Sequence, residues 1–265
     1  HNFYLTRNHG KASYSSSESR SDRDESRSFI GDSSRRARTV ILFFLILVLA
    51  AFFRFYGLNW DQGHHLHPDE RAIVMFTTPL QFPKTIDEFF SPTSSWNPNF
   101  FAYGSFSLYV LKLVGDFASY VNPLYASYEG INLVGRFLSA LFDIGTLLLL
   151  FLLSRKLFNI QVALLAAFFY GASVLPIQLS HFFAVDPPLT LFVLLTLFML
   201  IRFYEKPTFG RAVLVGVFFG LSLATKTSAL VLLASIGIAI AADFLLVFFK
   251  NVHRIFVWVA HVPQL

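Results

Sequence analysis

The residues best suited to chemistry are an adjacent acidic pair, Asp69-Glu70, which follows an apolar segment and stands in the stretch HLHPDER. A carboxylate beside a membrane can act as a general base, because an incoming hydroxyl group must lose its proton as a new bond forms. The alternative is an exposed acidic pair at the start of a helix after Pro68, where acids suit the helix dipole. Asp69 and Glu70 are therefore the first candidates for catalysis.

Three cations lie inside or at the edge of apolar segments, namely Arg54, Arg136 and Lys226. Ionisable groups at such depth are costly and usually face a cavity or a partner. One interpretation is a cationic site for the phosphate or pyrophosphate group of a lipid carrier. The other is that these side chains extend to the membrane interface. Asp143, two helical turns after Arg136, is interpreted as a structural partner for an arginine.

A second polar segment carries His181 and Asp186 between two apolar runs. It is an interfacial loop, a second acidic wall of the same site, or a metal contact. His64, His65 and His67 lie close to the acidic pair, and histidines are common metal ligands. The pattern requires no cofactor, and a divalent metal is the alternative that stays open.

The composition is that of a membrane protein. Hydrophobic residues make up 55% of the chain and charged residues only 14%, against about 25% charged residues in soluble domains. The sequence contains no Cys, which excludes disulfides, thiolate metal sites and a cysteine nucleophile. It also contains no phosphate-binding glycine loop, HExxH or GxSxG motif, which argues against the chemistry of soluble nucleotide-binding folds.

The N-terminal residues differ in composition from the rest. Residues 1–38 are rich in Ser, Arg and acidic residues and bury too little apolar surface to become ordered. We predict a disordered cytoplasmic tail at 1–38 and one transmembrane module at 39–265. Residues 1–39 contain eight Lys or Arg and five Asp or Glu, so most of the net charge of +5 lies in the tail. Basic residues beside a span indicate topology or contact with anionic membrane lipid rather than nucleic-acid binding.

The apolar segments predict an all-α integral membrane protein with about six or seven spans. A long outer loop lies between residues 57 and 130, and its apolar part at 105–120 is expected to form a helix along the membrane surface. The spans are predicted at 40–56, 131–153, 161–175, 189–203, twice within 212–249 with a reversal near Lys226, and near residue 255.

The charges favour one orientation, with the N-terminus in the cytoplasm and the cations on the inner side. The inner turns then contain Arg155, Lys156, Arg202, Lys206, Arg211, Lys250 and Arg254. The outer side receives Asp69, Glu70, Asp87, Glu88, Asp116, Glu129 and Asp186. Lys226 falls on the same outer face, so the site is predicted there.

The order of these motifs resembles the lipid-carrier-dependent glycosyltransferases of the GT-C fold, and most of all the protein-mannosyltransferase-like group called family 39. The similar segments, within about residues 40–250, are RFYGL (54–58), HPDE (67–70), GRFLSA (135–140), HFFAVDPPL (181–189) and GLSLATK (220–226). One departure is Tyr103-Gly104-Ser105-Phe106, where the family often has a Tyr-Pro-Pro-Leu-like motif. The family also has further spans and often an outer domain, so we interpret the chain as the N-terminal part of such a protein.

The resemblance implies an inverting transferase that moves a hexose, mannose in the best-known members, from a polyprenyl-phosphate carrier to a hydroxyl acceptor. The acceptor would belong to a protein or a lipid on the outer face of a bacterial-type plasma membrane. Asp69 matches the base or acceptor-binding acid of the family, and Glu70 supports it.

The resemblance also assigns the remaining charged residues. Asp186 matches the acid of the second outer loop, and Lys226 matches a basic residue near the carrier phosphate. Arg136 and Arg54 are looser matches to phosphate-binding residues. The alternatives are an aminoarabinose-type lipid glycosyltransferase, a non-catalytic scaffold, and a transporter, which would place its acidic residues in the middle of the bilayer.

Overall fold

The computed structural model describes residues 35–238 and Ala241. Every regular element in this part of the chain is helical and none is a strand, which confirms the all-α prediction. The helices are α1 (Arg35–Phe55), α2 (Pro68–Thr77), α3 (Ile86–Phe90), α4 (Phe106–Ala118), α5 (Ile131–Leu157), α6 (Ile160–Ala172), α7 (Val174–Leu179), α8 (Asp186–Glu205), α9 (Phe209–Thr225) and α10 (Thr227–Ile238). Two 3-10 turns occur at Pro123–Ala126 and, at the start of α10, at Thr227–Leu230.

The chain divides into two compact units between Val48 and Leu49, inside α1. The first unit contributes residues 35–48 to the described structure, and these are helical. Residues 35–38, predicted as part of the disordered tail, are helical and belong to α1, because arginine is a good helix former and extends the apolar helix. The rest of the predicted tail, residues 1–34, lies outside the described residues. All contacts discussed below belong to the second unit.

Among the described residues, three helices are long and apolar enough to cross a membrane: α1 with 21 residues, α5 with 27 and α8 with 20. α6, α9 and α10 are also apolar but shorter, and they occupy the places predicted for the third, fifth and sixth spans. The predicted end of the third span at residue 175 is wrong. Ser173 has extended backbone angles, φ −69° and ψ 133°, and ends α6 at Ala172. The seventh predicted span, near residue 255, lies outside the described residues.

The charged ends of α8 lie at opposite ends of the helical unit. Lys156 near the end of α5 pairs with Glu205 at the end of α8, with 2.5 Å between Nζ and Oε1. Asp186 at the start of α8 pairs instead with Lys226, which follows α9. Lys156 therefore lies at the opposite end of α8 from Asp186 and Lys226, and the sides of the membrane that the charged residues face stay a prediction.

One apolar core fixes the elements that carry the site. It packs α2, α4 and the first turns of α5 against the segment that precedes α8. A Cβ atom on Gly135 of α5 would lie 2.6 Å from Phe183 Cβ, so the close approach of this segment requires glycine. The helix predicted at 105–120 is present as α4, and its buried leucines face this core. The fully buried members are Ile73, Val74, Leu108, Leu111, Ile131 and Phe183.

Candidate active site

At the start of α2, the two carboxylates of the acidic pair differ in their exposure to solvent. His67 is the N-cap, and its ring accepts a hydrogen bond from the Glu70 backbone N–H at 3.4 Å. Pro68 takes the first helical position, where its missing N–H costs nothing. Because successive helical side chains point about 100° apart, Asp69 is partly exposed while Glu70 is completely buried. Of the two carboxylates, Asp69 is the one that a substrate can reach.

Glu70 is bound to Arg136 of α5, and both side chains are fully buried. Arg136 Nε donates to Glu70 Oε1 at 2.8 Å, and Nη2 donates to Oε2 at 2.5 Å. Glu70 Oε1 also accepts a hydrogen bond from the Phe183 backbone N–H at 2.9 Å. One carboxylate therefore joins α2, α5 and the segment before α8.

Asp61 completes the contacts of Arg136. Its Oδ1 and Oδ2 accept from Nη1 and Nη2 at 2.8 and 2.7 Å, and the Leu58 carbonyl accepts from Nη1 at 2.7 Å. With the two bonds to Glu70, these contacts use every N–H donor of the guanidinium. The hydrogen bond and charge of Arg136 lower the pKa of Asp61 from 3.8 to about 2, although burial acts in the opposite direction. Phosphate binding by Arg136 stays a prediction, and it would require one of these bonds to break.

Arg54 is held in a similar way. It is fully buried, its Nε pairs with Asp143, and its Nη1 donates to the Gly171 carbonyl at 2.9 Å. Nη2 donates to the Tyr170 carbonyl at 3.3 Å, so Arg54 satisfies carbonyl groups at the end of α6. Asp143 is thus an arginine partner, as interpreted from the sequence, but its arginine is Arg54 rather than Arg136. Phosphate binding by Arg54 likewise stays a prediction.

His181 links two loops through reciprocal contacts. Its Nε2 lies 2.9 Å from the Tyr56 carbonyl, and the Trp60 indole N–H donates to the His181 carbonyl at 2.8 Å. Its Nδ1 lies 2.7 Å from the Ile177 carbonyl. Both ring nitrogens are therefore engaged with backbone groups, and the residue holds the loop after α1 against the segment before α8.

Four partly exposed polar residues meet at the same end of the helices, and we call them the polar cluster: Asp69, Tyr103, Asp186 and Lys226. Burial, the adjacent Asp69 carboxylate and the nearby charge of Asp186 raise the pKa of Tyr103. Lys226 Nζ lies 6.0 Å from the Tyr103 ring centroid and 3.1 Å from Asp186 Oδ1. The Lys226 and Asp186 side chains are 35% and 39% exposed, so a ligand can reach them.

The sequence itself matches a known family. Residues 130–262, half of the chain, match the family described as dolichyl-phosphate-mannose-protein mannosyltransferase. The chain belongs to this family. A comparison with curated proteins found no match. Family membership and three helices of spanning length indicate an integral membrane protein and a membrane glycosyltransferase of the mannosyltransferase type, which confirms the resemblance at that level.

The part of the chain that matches the mannosyltransferase family contains Arg136, Asp186 and Lys226, whereas Asp69 and Glu70 precede it. The structure connects the two parts. Glu70 binds Arg136, and Asp69 lies in the polar cluster with Asp186 and Lys226. The acidic pair therefore belongs to the same helical assembly as the matched residues.

The three histidines near the acidic pair have different environments. His64 is exposed, His65 packs on the Tyr128 ring with 4.5 Å between centroids, and His67 stacks on Phe182 with 3.6 Å between centroids. Within the described part of the chain, no three or more His, Asp or Glu residues form a group that could hold a metal ion.

The sequence analysis did not identify two of the site residues, Asp61 and Tyr103. For Asp61 the sequence offers one local signal, because Asp followed two residues later by Gly is typical of an Asx turn. The structure contains this turn: Gly63 has a positive φ of 80°, and its N–H donates to Asp61 Oδ1 at 3.2 Å. That signal indicates a turn and does not reveal the bond to Arg136. Tyr103 stood out only as the start of the segment that departs from the Tyr-Pro-Pro-Leu-like motif.

Proposed function

We propose that the protein transfers a hexose of the mannose type from a polyprenyl-phosphate carrier to a hydroxyl group of a protein or lipid on the outer face of the membrane. The observation that carries the proposal is the polar cluster, in which a reachable carboxylate, Asp69, and a reachable cation, Lys226, lie around the same tyrosine. The family description names dolichyl phosphate, mannose and protein, which supports this donor and a protein acceptor.

Asp69 acts as the general base in this proposal. The acceptor hydroxyl gives its proton to the Asp69 carboxylate as its oxygen bonds to the anomeric carbon. The bond between that carbon and the phosphate oxygen breaks, and the polyprenyl phosphate leaves with its electron pair. Attack on the face opposite the phosphate inverts the configuration of the sugar. The partial exposure of Asp69 lets the proton pass on to solvent.

Lys226 provides the positive charge for the departing phosphate. Its pairing with Asp186 is partly exposed, and exposed ion pairs contribute only about 0–1 kcal/mol. A phosphate group can therefore replace Asp186 at the ammonium with little loss. Asp186 keeps the ammonium in the polar cluster while no donor is bound.

The buried arginines are proposed to position the site. Breaking a buried ion pair costs about 3–5 kcal/mol, far more than opening the Lys226–Asp186 pair. The Glu70–Arg136 pair therefore keeps α2 fixed on α5, and this holds Asp69 beside the other residues of the polar cluster. Arg54 fixes the end of α6 in the same manner.

The donor class and the role of Lys226 can be tested together. Membranes containing the protein are supplied with a radiolabelled polyprenyl-phosphate hexose or with the same sugar on a nucleoside diphosphate. We expect transfer from the polyprenyl phosphate only, and a donor KM raised about tenfold or more by Lys226→Gln, which corresponds to about 1.4 kcal/mol.

The matched control is Lys112→Gln. Lys112 pairs with Asp116 one turn away on α4, at 2.8 Å and partly exposed, and lies outside the polar cluster. We expect its donor KM to equal that of the wild type. Transfer from the nucleoside diphosphate sugar alone, or from neither donor, would contradict the proposed function.

A further inference from the structure

Tyr103 lies between the two groups to which the proposed function assigns chemistry. We propose that Tyr103 is a positioning residue of the transfer, whose hydroxyl orients the Asp69 carboxylate and whose ring places the Lys226 ammonium. This inference rests on the proposed function and extends it, because it explains how the base and the phosphate-binding cation are held in a fixed mutual arrangement.

The surroundings of Tyr103 leave its ring little freedom. Burial and the Asp69 carboxylate beside the Tyr103 hydroxyl raise the pKa of the phenol, and Lys226 Nζ lies 6.0 Å from the ring centroid, a distance at which a cation is attracted to an aromatic face. Phe100 packs edge-on against the ring with 5.8 Å between centroids. Phe100 in turn stacks on Phe76 of α2 with 4.6 Å between centroids. The ring is thus fixed from the same helix that carries Asp69.

The backbone after Tyr103 is fixed to the end of α9. The Gly104 N–H donates to the Thr225 carbonyl at 3.0 Å, directly before Lys226. A Cβ atom at Gly104 would lie 1.9 Å from the Ala224 carbonyl oxygen, and backbone atoms cannot move aside as a flexible side chain can. Only glycine therefore allows this contact, which places Tyr103 beside Lys226.

These contacts predict separate effects for the hydroxyl and the ring. Tyr103→Phe keeps the ring and removes the hydroxyl that lies beside the Asp69 carboxylate. It should disturb Asp69 and leave Lys226 in place. Tyr103→Leu removes the aromatic face and should disturb both groups.

The kinetic test measures kcat and donor KM for these variants in membranes, at equal protein levels. We expect Tyr103→Phe to lower kcat about tenfold with an unchanged donor KM, and Tyr103→Leu to raise the KM as well. In an Asp69→Asn background Tyr103→Phe should cause no further loss, because its effect passes through that carboxylate.

Tyr109→Phe is the matched control. The Tyr109 hydroxyl is also partly buried, but it donates to the Trp96 carbonyl at 3.3 Å rather than to a carboxylate. We expect kcat to be unchanged in this variant. A Tyr103→Phe enzyme with the kcat of the wild type, or an equal loss in both tyrosine variants, would overturn the inference.

A second pair of variants tests the backbone contact between Gly104 and Thr225. Gly104→Ala should abolish the placement of Tyr103 and lower kcat and donor affinity together. Gly216→Ala on α9 has open space around its new methyl group and should behave as the wild type. Equal activity of Gly104→Ala and Gly216→Ala would overturn the claim that this contact places Tyr103.

A measurement without turnover separates this inference from the proposed function. Ultraviolet titration of the purified protein, taken as the difference between wild type and Tyr103→Phe, isolates the Tyr103 phenol, whose pKa is raised. We expect Asp69→Asn to shift this titration to lower pH, and Asp87→Asn to leave it unchanged. An unchanged titration in an active enzyme would overturn the inference alone. Absence of transfer by the wild type from every donor would overturn the proposed function, and with it the role of Tyr103.

Discussion

Arg136 and Glu70 bind each other through two parallel N–H···O bonds of 2.8 and 2.5 Å, and neither side chain is exposed. Because Asp61 binds the same guanidinium, two carboxylates face one buried cation. The excess negative charge is met by backbone N–H groups, from Phe183 to Glu70 and from Gly63 to Asp61. The start of α2, and with it Asp69, is therefore held by a fully hydrogen-bonded buried network.

The first prediction concerns Glu70. Glu70→Gln keeps the size of the side chain but removes its charge and one acceptor oxygen, so Arg136 loses a partner. We expect the free energy of unfolding to fall by about 3–5 kcal/mol, measured as a lower Tm of the purified protein in detergent. Glu88→Gln, at the equivalent position in the first turn of α3 but partly exposed and hydrogen-bonded only to neutral donors, should lower the Tm far less. Equal Tm values for Glu70→Gln and the wild type would show that this pair does not hold α2.

The second prediction concerns pH. The folded-state pKa of Asp61 is about 2, below the ordinary 3.8, so its ionised form stabilises the folded state above pH 3.8. That contribution, about 2 kcal/mol by linkage, should be lost as the pH falls from about 4 to 2. Thermal unfolding of Asp61→Asn should show lower stability than the wild type at pH 7 and a smaller loss between pH 4 and 2. Parallel pH curves for the two proteins would contradict this account of Asp61.

The third prediction distinguishes the buried Arg54, which we expect to be structural, from the partly exposed Lys226, which we expect to bind the donor phosphate. Arg54→Gln leaves Asp143 buried without its charge partner and removes the hydrogen bonds to the end of α6. We expect a lower Tm and an unchanged donor KM, whereas Lys226→Gln should show the opposite pattern. A raised donor KM at an unchanged Tm in Arg54→Gln would instead support the phosphate contact predicted from the sequence.

The sequence predicted those features of the fold that depend on long, uniform patterns. The helices α1, α5 and α8 are long enough to span a bilayer, and their apolar runs were found without knowledge of their neighbours. The end of α6 was misplaced because Ser173 and the residues after it remain compatible with an apolar span, and the break depends on local backbone angles. Composition alone does not encode such a break.

The candidate site was predictable only in part, for reasons of distance along the chain. Asp69 was found as half of an acidic pair in the loop after the first apolar run, Asp186 as an acid in a polar turn between two apolar runs, and Lys226 as a cation within an apolar stretch. Asp61 is 75 residues from Arg136, and Arg54 is 89 residues from Asp143, so these pairings arise from tertiary packing. That Asp69 is partly exposed while Glu70 is buried likewise depends on the position of α5.

The measurement that tests the central claim most directly is sugar transfer by Asp69→Asn beside Asp87→Asn, with a radiolabelled polyprenyl-phosphate hexose and equal amounts of folded protein. The two aspartates are each the second residue of a helix and are each followed by a glutamate, but Asp87 is exposed on α3, outside the polar cluster. We expect a loss of kcat of about 100-fold or more for Asp69→Asn, as for removal of a general base, and wild-type transfer by Asp87→Asn. Normal transfer by Asp69→Asn would contradict the role of Asp69 as the base.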